Sequence, residues 1–428
     1  MRILIVTGLY PPNAPTATVR APKFARYLLD RGHDVRVLAA QNLQFPAAVD
    51  PEIDEGRITH VPYIRRGLTA PMTEADQPRP DGGSGNGAGG NGDSGMAQKV
   101  GRLRYLVRRL QHLPDPHVTW IAPAVAAGGA LAAEWRPDVL FSTGPPDSSH
   151  IVAARLSRRL GVPFVAELRD LWSDNIYNRR RVVVEAIERV QELATLRRAA
   201  GIVAVTEGAA ERLADRYDVP VVQAANGYDP ADFAGLETVE PLDAARLSIV
   251  HAGSTYGGRR SPEPLFAALA AMGEAADGIV CHFYGEDIGP VRAFAEAAGV
   301  GHLVETHGPV GRKQVLEIER RADVLLLLRF ATEGEKHVVA GKLYEYAGAR
   351  RPILCHGQME GEAAEIIRGH GLGLVSNDPQ EIADWLRARC AEREEGRLPD
   401  LPAGPAETLT RSTQFAKVER LLSDVAQT

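Results

Sequence analysis

The feature that most constrains this chain is a short aliphatic run that keeps returning. Val324-Leu325-Leu326-Leu327-Leu328 sits between Asp323 and Arg329, with the length and content of a strand buried on both faces. Comparable runs fall at 3–6, 35–38, 138–141, 164–166, 202–205, 221–222, 248–251, 279–284, 303–306, 353–355 and 373–375. Helix-period stretches and glycine or proline turns separate them. One such stretch carries Phe24, Leu28 and Leu29 and stops at Gly32; another runs through Leu156 and Leu160 to Gly161. Strands alternating with helices predict an α/β chain of parallel sheets covered by helices. The alternation pauses over residues 230–245 and restarts at Ser248, so two doubly wound domains of similar size are expected. Their ligand belongs at the carboxyl ends of the strands, in the cleft between the domains. The boundaries are placed at 1–235 and 236–405. The last segment, 406–428, carries Phe415, Val418, Leu421, Leu422 and Val425 at helical spacing.

Composition excludes several classes. A length of 428 residues allows two or three domains, and 44% apolar with 24% charged residues is ordinary for a globular protein. A net charge of −6 gives no general attraction to nucleic acid. Cys281, Cys355 and Cys390 are odd in number, far apart and without C-x-x-C spacing. That argues for reduced cysteines and against a disulfide framework or zinc site. No apolar run reaches membrane-spanning length. The opening Met1-Arg2-Ile3-Leu4-Ile5-Val6 is too short for a signal peptide. A cytoplasmic protein is expected, with any membrane contact peripheral.

Two stretches stand outside the alternation. Residues 77–96 contain Asp81-Gly82-Gly83-Ser84-Gly85-Asn86-Gly87-Ala88-Gly89-Gly90-Asn91-Gly92. They cannot bury apolar area and read as a mobile loop. Next, Leu103, Leu106, Val107 and Leu110 fall on one helical face, with Lys99, Arg102, Arg104, Arg108 and Arg109 over the other positions. Such a helix can lie on an anionic membrane surface or pack on its own domain as a solvated helix. Both readings stand.

Three places carry candidate chemistry. After the 248–251 strand comes Ala252-Gly253-Ser254-Thr255-Tyr256-Gly257-Gly258-Arg259-Arg260, a glycine-bearing loop. Between the 324–328 and 353–355 strands, Gly341-Lys342-Leu343-Tyr344-Glu345-Tyr346-Ala347 reads as a helix opening onto the sheet edge. Its N-terminus favours phosphate, and Lys342 and Glu345, three residues apart, can face one crevice. A carboxylate there can accept two ribose hydroxyls, which suits a nucleoside diphosphate; an ordinary helix-surface ion pair explains the same spacing. The third place is Glu167-Leu168-Arg169-Asp170-Leu171-Trp172, at the end of the 164–166 strand.

Taken in order, these motifs resemble glycosyltransferase family 4. The resemblance covers nearly the whole chain. It rests on Tyr10-Pro11-Pro12, Gly32-His33-Asp34-Val35, the 167–172 segment, Asn226-Gly227-Tyr228-Asp229 at the expected interdomain hinge, and residues 341–354. It implies the GT-B fold of two facing Rossmann-like domains, with the C-terminal helix crossing back to the first. It implies a nucleotide-activated sugar donor, retention of anomeric configuration, and no cofactor or metal requirement. The sequence has no Asp-x-Asp motif. On that resemblance, Arg259, Lys342 and Asp170 carry the chemistry. Gly257, Gly258, Arg260, Glu335, His337, Gly341, Tyr344 and Glu345 hold the donor. Tyr10, Pro12, Thr16, Arg20, Arg169 and Trp172 face the acceptor, which is a glycan, a lipid-linked sugar or a natural product. Glu345 matches the second of two family glutamates; the position of the first is His337, with Glu335 nearby but out of register. A nucleotide-sugar epimerase of the same fold and a non-catalytic nucleotide-sugar-binding protein are the alternatives. Deleting residues 81–95 is expected to leave folding and activity intact; a deletion variant that no longer unfolds cooperatively by circular dichroism would overturn the loop reading.

Overall fold

The computed structural model describes every residue except 16, 17, 46, 48, 65–111, 175–181 and 428, and only the backbone at 182 and 183. The glycine-rich stretch, the basic stretch and Thr16 lie outside the described residues. The rest forms two compact units. One comprises Met1–Val203, Leu213–Val221 and Leu421–Thr428; the other comprises Ala204–Arg212 and Val222–Arg420. Among the described residues no helix is long and apolar enough to cross a membrane.

The first sheet contains β1 (Arg2–Thr7), β2 (Asp34–Ala40), β3 (Ile58–Val61), β4 (Val139–Gly144), β5 (Phe164–Leu168), β6 (Gly201–Ala204) and β7 (Val221–Gln223). Their order is β3-β2-β1-β4-β5-β6-β7. The second sheet contains β8 (Leu247–Ala252), β9 (Ile279–Tyr284), β10 (Val304–His307), β11 (Val324–Leu328), β12 (Ile353–His356) and β13 (Gly373–Val375), in the order β10-β9-β8-β11-β12-β13. Both are doubly wound. Each reverses direction beside its first strand, at β1/β4 and at β8/β11, and the crevice outside the strand ends opens at such a reversal.

Burial on both faces explains the aliphatic runs. In β11, Val324, Leu326 and Leu328 join one core with Ile249, Cys281, Phe283 and the helix Glu263–Met272. Leu325 and Leu327 join another with Val250, Ile353 and the helix Gly341–Ala349. No residue of β11 is more than 3% exposed, so alternation is lost and every position is apolar.

The sequence pattern missed β3 and the helix Ile121–Glu134. β3 is an edge strand with three half-buried positions out of four. The helix is a nearly uniform alanine-glycine run, which shows no polar face to mark its period. The Asn226-Gly227-Tyr228-Asp229 turn is clamped within the second unit. Tyr228 N–H donates to Leu409 O at 3.0 Å, and Arg411 N–H donates to Tyr228 O at 2.7 Å. Gly227 has φ +67°, and a Cβ there would lie 2.8 Å from Arg411 N, so both backbone shape and space require glycine.

The first unit is tied by a buried ion pair. Arg20, at the start of the helix Arg20–Asp30, meets Glu167 of β5 at 2.8 Å, with side-chain exposures of 4% and 2%. Thr143 Oγ1 donates to the other Glu167 oxygen at 2.7 Å. Burial pushes the Glu167 pKa up, but Arg20 and Thr143 outweigh it and hold the carboxyl below its usual range. Arg20→Ala strands a buried carboxylate and is expected to cost about 3–5 kcal/mol in urea unfolding. The pair Arg20→Met/Glu167→Leu should recover most of it; a single variant as stable as the parent would refute a structural role.

Candidate functional site

Some of the candidates, Arg259, Arg260 and Lys342, lie around the β8/β11 reversal. Two loops leave the strand ends there, Gly253–Arg260 after β8 and the stretch from Arg329 to Ala340 after β11. The first is shaped by backbone: Tyr256, Gly257 and Gly258 have φ +52°, +66° and +85°. Asp287 holds it from below, accepting from Ser254 Oγ at 2.6 Å, Thr255 N–H at 2.9 Å and Gly257 N–H at 3.1 Å. Desolvation raises the Asp287 pKa, but these donors prevail and lower it. Gly258 N–H bonds to Thr255 O at 3.1 Å. The expectation that the Gly257-Gly258 amides receive an anion is therefore corrected: both are occupied inside the loop, and Asp287 adds negative charge beneath them.

The side chains that follow have a different role. Arg260 lies 3.6 Å from the buried carboxylate of Glu335 and stacks over Tyr256 and Phe330, 4.6 Å from each ring centroid. Glu335 is in turn fixed by Arg329, whose Nη2 donates to the Glu335 carbonyl at 2.6 Å. Glu335, expected to touch the donor sugar, is instead the counter-ion of Arg260. Arg259 is exposed, sits 5.1 Å above the Phe330 ring and has no carboxylate partner among the described residues. It also lines a depression of about 360 Å³ with Glu263, Arg329, Gly357 and Asn377.

Lys342 closes the other side. A Cβ at Gly253 would come within 3.1 Å of Lys342 Cε, so glycine lets this side chain lie against the β8 loop. His251, at the end of β8, is buried; desolvation pushes its imidazole down to about 4, with Lys342 and Arg260 acting in the same direction. Both cations thus bear on one point. Lys342 and Glu345 do share a face, as their spacing requires, but that face looks onto the helix Arg312–Arg321. Lys342 Nζ lies 3.6 Å from Glu319, and Glu345 Oε1 accepts from Arg312 at 2.5 Å. Arg312 also bonds Asp232 at 2.9 Å. Glu319 is fully buried, and neither of its oxygens has a hydrogen-bond partner among the described residues. Desolvation pushes its pKa up to about 8, against the pull of Lys342.

Sequence reasoning missed Asp287, Arg312 and Glu319. Glu319 had a signal: it follows Val315 and Leu316 by four and three residues, on the buried stripe of its helix. Three candidates are scaffold instead. Tyr344 is 1% exposed in the core, Tyr10 is fully buried with its hydroxyl on Pro51 O at 3.1 Å, and Trp172 is 2% exposed. Arg20 is committed to Glu167. Gly341 and His337 are exposed, and His337 abuts Gly208, where a Cβ would lie 2.5 Å from Nδ1. Pro12 is half-buried. Arg169 donates to the carbonyls of Gly144 at 3.1 Å and Pro145 at 2.9 Å. Asp170 is exposed; desolvation raises its pKa and Arg169 opposes the rise.

Residues 16–227 match the family described as a glycosyl transferase 4-like domain. No curated protein sequence matches the chain. Among solved structures it is similar to a glycosyltransferase from Rickettsia africae ESF-5, with TM-score 0.61, 11% identity and coverage of 99% and 98% of the two chains. It is also similar to the lipopolysaccharide outer core galactosyltransferase WaaB (TM-score 0.55, 13% identity, 99% of each chain). A candidate UDP-N-acetylglucosamine 2-epimerase from Listeria monocytogenes shares the fold at TM-score 0.52, 12% identity, and 100% and 97% coverage. The chain has the GT-B fold of two parallel-sheet units, and its residues 16–227 are similar to the glycosyl transferase 4-like domain.

The buried Glu319 yields a pH signature. The folded chain holds its proton to about pH 8, whereas the unfolded chain releases it near the ordinary glutamate value. This contribution is present at low pH and lost as pH rises through that interval. Urea midpoints should decline less between pH 6 and 8.5 in Glu319→Gln than in the parent; parallel profiles would contradict the assignment.

Proposed function

We propose that the chain transfers a sugar from a nucleoside-diphosphate sugar to a glycan, a lipid-linked sugar or a natural product, with retention and without a metal. The observation carrying this reading is the set of Arg259, Arg260 and Lys342 around the β8/β11 reversal. As the donor bond breaks, negative charge grows on the leaving β-phosphate. Preorganised cations stabilise that charge best where water is scarce. Arg259 has no carboxylate to neutralise it among the described residues and is the first candidate for the phosphate. Arg260 is held by Glu335 and two rings, so little side-chain freedom is lost on binding. Lys342 lies at the uncapped start of the helix Gly341–Ala349, whose amides add partial positive charge. Glu345, whose Oε1 accepts from Arg312, is assigned the ribose hydroxyls in this reading.

The transition state has oxocarbenium character. In the reading favoured here the leaving phosphate takes the acceptor proton on the same face, so no carboxylate nucleophile is required. Asp170 is assigned to donor or acceptor positioning, as the accessible carboxylate at the end of β5. A cytoplasmic location with peripheral membrane contact suits a lipid-linked acceptor.

The epimerase reading is favoured only by the shared fold. His251 and His356 are buried, and burial pushes each down to about 4, which leaves them poorly placed for acid-base work. A panel of UDP-, GDP-, ADP- and dTDP-sugars decides. Nucleoside diphosphate released only with acceptor supports transfer; an altered sugar still attached to nucleotide supports epimerisation; binding without turnover supports a carrier. Glu345→Ala should weaken nucleotide binding about 10- to 100-fold, the loss of a charged hydrogen-bond acceptor. Arg259→Ala should lower kcat more than it raises KM. Parent-like UDP and GDP calorimetry for both variants would refute the site.

A further inference from the structure

The sheet edge formed by β9 and β10 presents a second constellation, on the strand pair at the far end from β13. In the parallel register Glu305 lies beside His282 and His307 beside Tyr284. Positions two apart on one strand share a face, so Glu305 and His307 project to the same side, where His282 also projects. The three side chains meet. His282 Nδ1 is 3.1 Å from His307 Nε2 and 3.4 Å from Glu305 Oε2, and His307 Nε2 is 3.9 Å from the same oxygen. We propose that His282, Glu305 and His307 form a binding site for one first-row divalent cation, zinc foremost, through Nδ1, Oε2 and Nε2.

The spacing carries the proposal. Around a tetrahedral zinc with bonds of about 2.0–2.1 Å, neighbouring donor atoms stand about 3.3 Å apart. The three observed separations bracket that value. Two imidazoles and a carboxylate are a donor set suited to zinc, with the fourth position left to water. A plain hydrogen bond between the rings would account for the first distance. It does not account for a carboxylate oxygen brought close to both ring nitrogens.

Two of the donors, His307 and Glu305, are also held from behind, as metal ligands commonly are, whereas His282 Nε2 is buried without a hydrogen-bond partner among the described residues. His307 stacks on the Tyr284 ring at 4.3 Å between centroids and 13° between planes. Glu305 Oε1 takes Arg246 at 3.5 Å, and Arg246 is anchored to Asp243 at 2.9 Å. His282 is 7% exposed, packed within its strand, while Glu305 is open to solvent, which provides an entry path. The site does not draw on the transfer chemistry: none of its residues is among the donor candidates. Cysteine spacing gave no hint of it, because its ligands are brought together by strand pairing.

Tag-free full-length chain, stripped with chelator, is titrated with zinc by calorimetry and with cobalt by visible absorption. The expected result is one equivalent per chain, cobalt bands of low coordination number, and their loss on adding zinc. The chain has 12 histidines, so stoichiometry alone does not locate the metal. His307→Gln and Glu305→Gln are solvent-reachable changes and should each weaken zinc at least about 10-fold, with circular dichroism unchanged. Zinc should also raise the parent's Tm and leave that of the His307→Gln/Glu305→Gln double variant where it was. No binding by the parent, or parent-like affinity in both single variants, overturns the proposal.

Discussion

Everything in this protein follows from having to bury parallel sheets on both faces. A parallel strand has no solvent side, so its residues must be apolar throughout and helices must cover it above and below. That requirement produces the aliphatic runs. It also sends every connection across a face and returns it at the same end of the sheet. The carboxyl ends of all strands therefore share one edge, and polar loops collect there because they cannot be buried elsewhere. In the second unit the edge is organised by charge. Glu335 is a carboxylate with almost no exposure that faces Arg260, while the equally buried Glu319, its pKa pushed up to about 8 by desolvation, faces Lys342.

Buried pairs of this kind contribute little net stability, since desolvation offsets most of the attraction. Their value here is positional. Arg260 is confined by one carboxylate and two aromatic rings, and Lys342 by Glu319 and the surface of Gly253. Arg259 is exposed over Phe330 and has no carboxylate partner among the described residues. The loop between them is stiffened by Asp287, which takes up the amides of Thr255 and Gly257. In the Gly253–Arg260 loop the positive charge is thus on side chains rather than on free amides, unlike the glycine-rich phosphate loops in which amides do that work.

Much of the candidate site could be read from local pattern. Lys342 and Glu345 share a helix face because three residues make nearly one turn, and Asp170 falls just past β5 because that strand opens on the apolar run Phe164-Val165-Ala166. What could not be read was the partner of each. Glu345 belongs to Arg312 and Lys342 to Glu319, both on a helix about thirty residues upstream. Tyr10, Tyr344 and Trp172 sit in motifs resembling family landmarks, yet each is packed inside; an aromatic ring near a loop carries no local mark of which way it faces. β3 and the helix Ile121–Glu134 were missed for a related reason: one is an edge strand and the other is alanine-rich, so neither has a contrast between its faces.

The amino-acid sequence by itself determined the class of fold, because strand and helix periodicities are local properties of a few consecutive residues. It determined the order of elements, their two rounds, and which loops fall at the functional edge. Only the tertiary structure decided which charges are neutralised, which amides are already bonded and which rings are core. It alone assembled His282, Glu305 and His307. Those outcomes depend on contacts between residues distant along the chain, and such contacts exist only once the sheets have paired and the helices have packed against them.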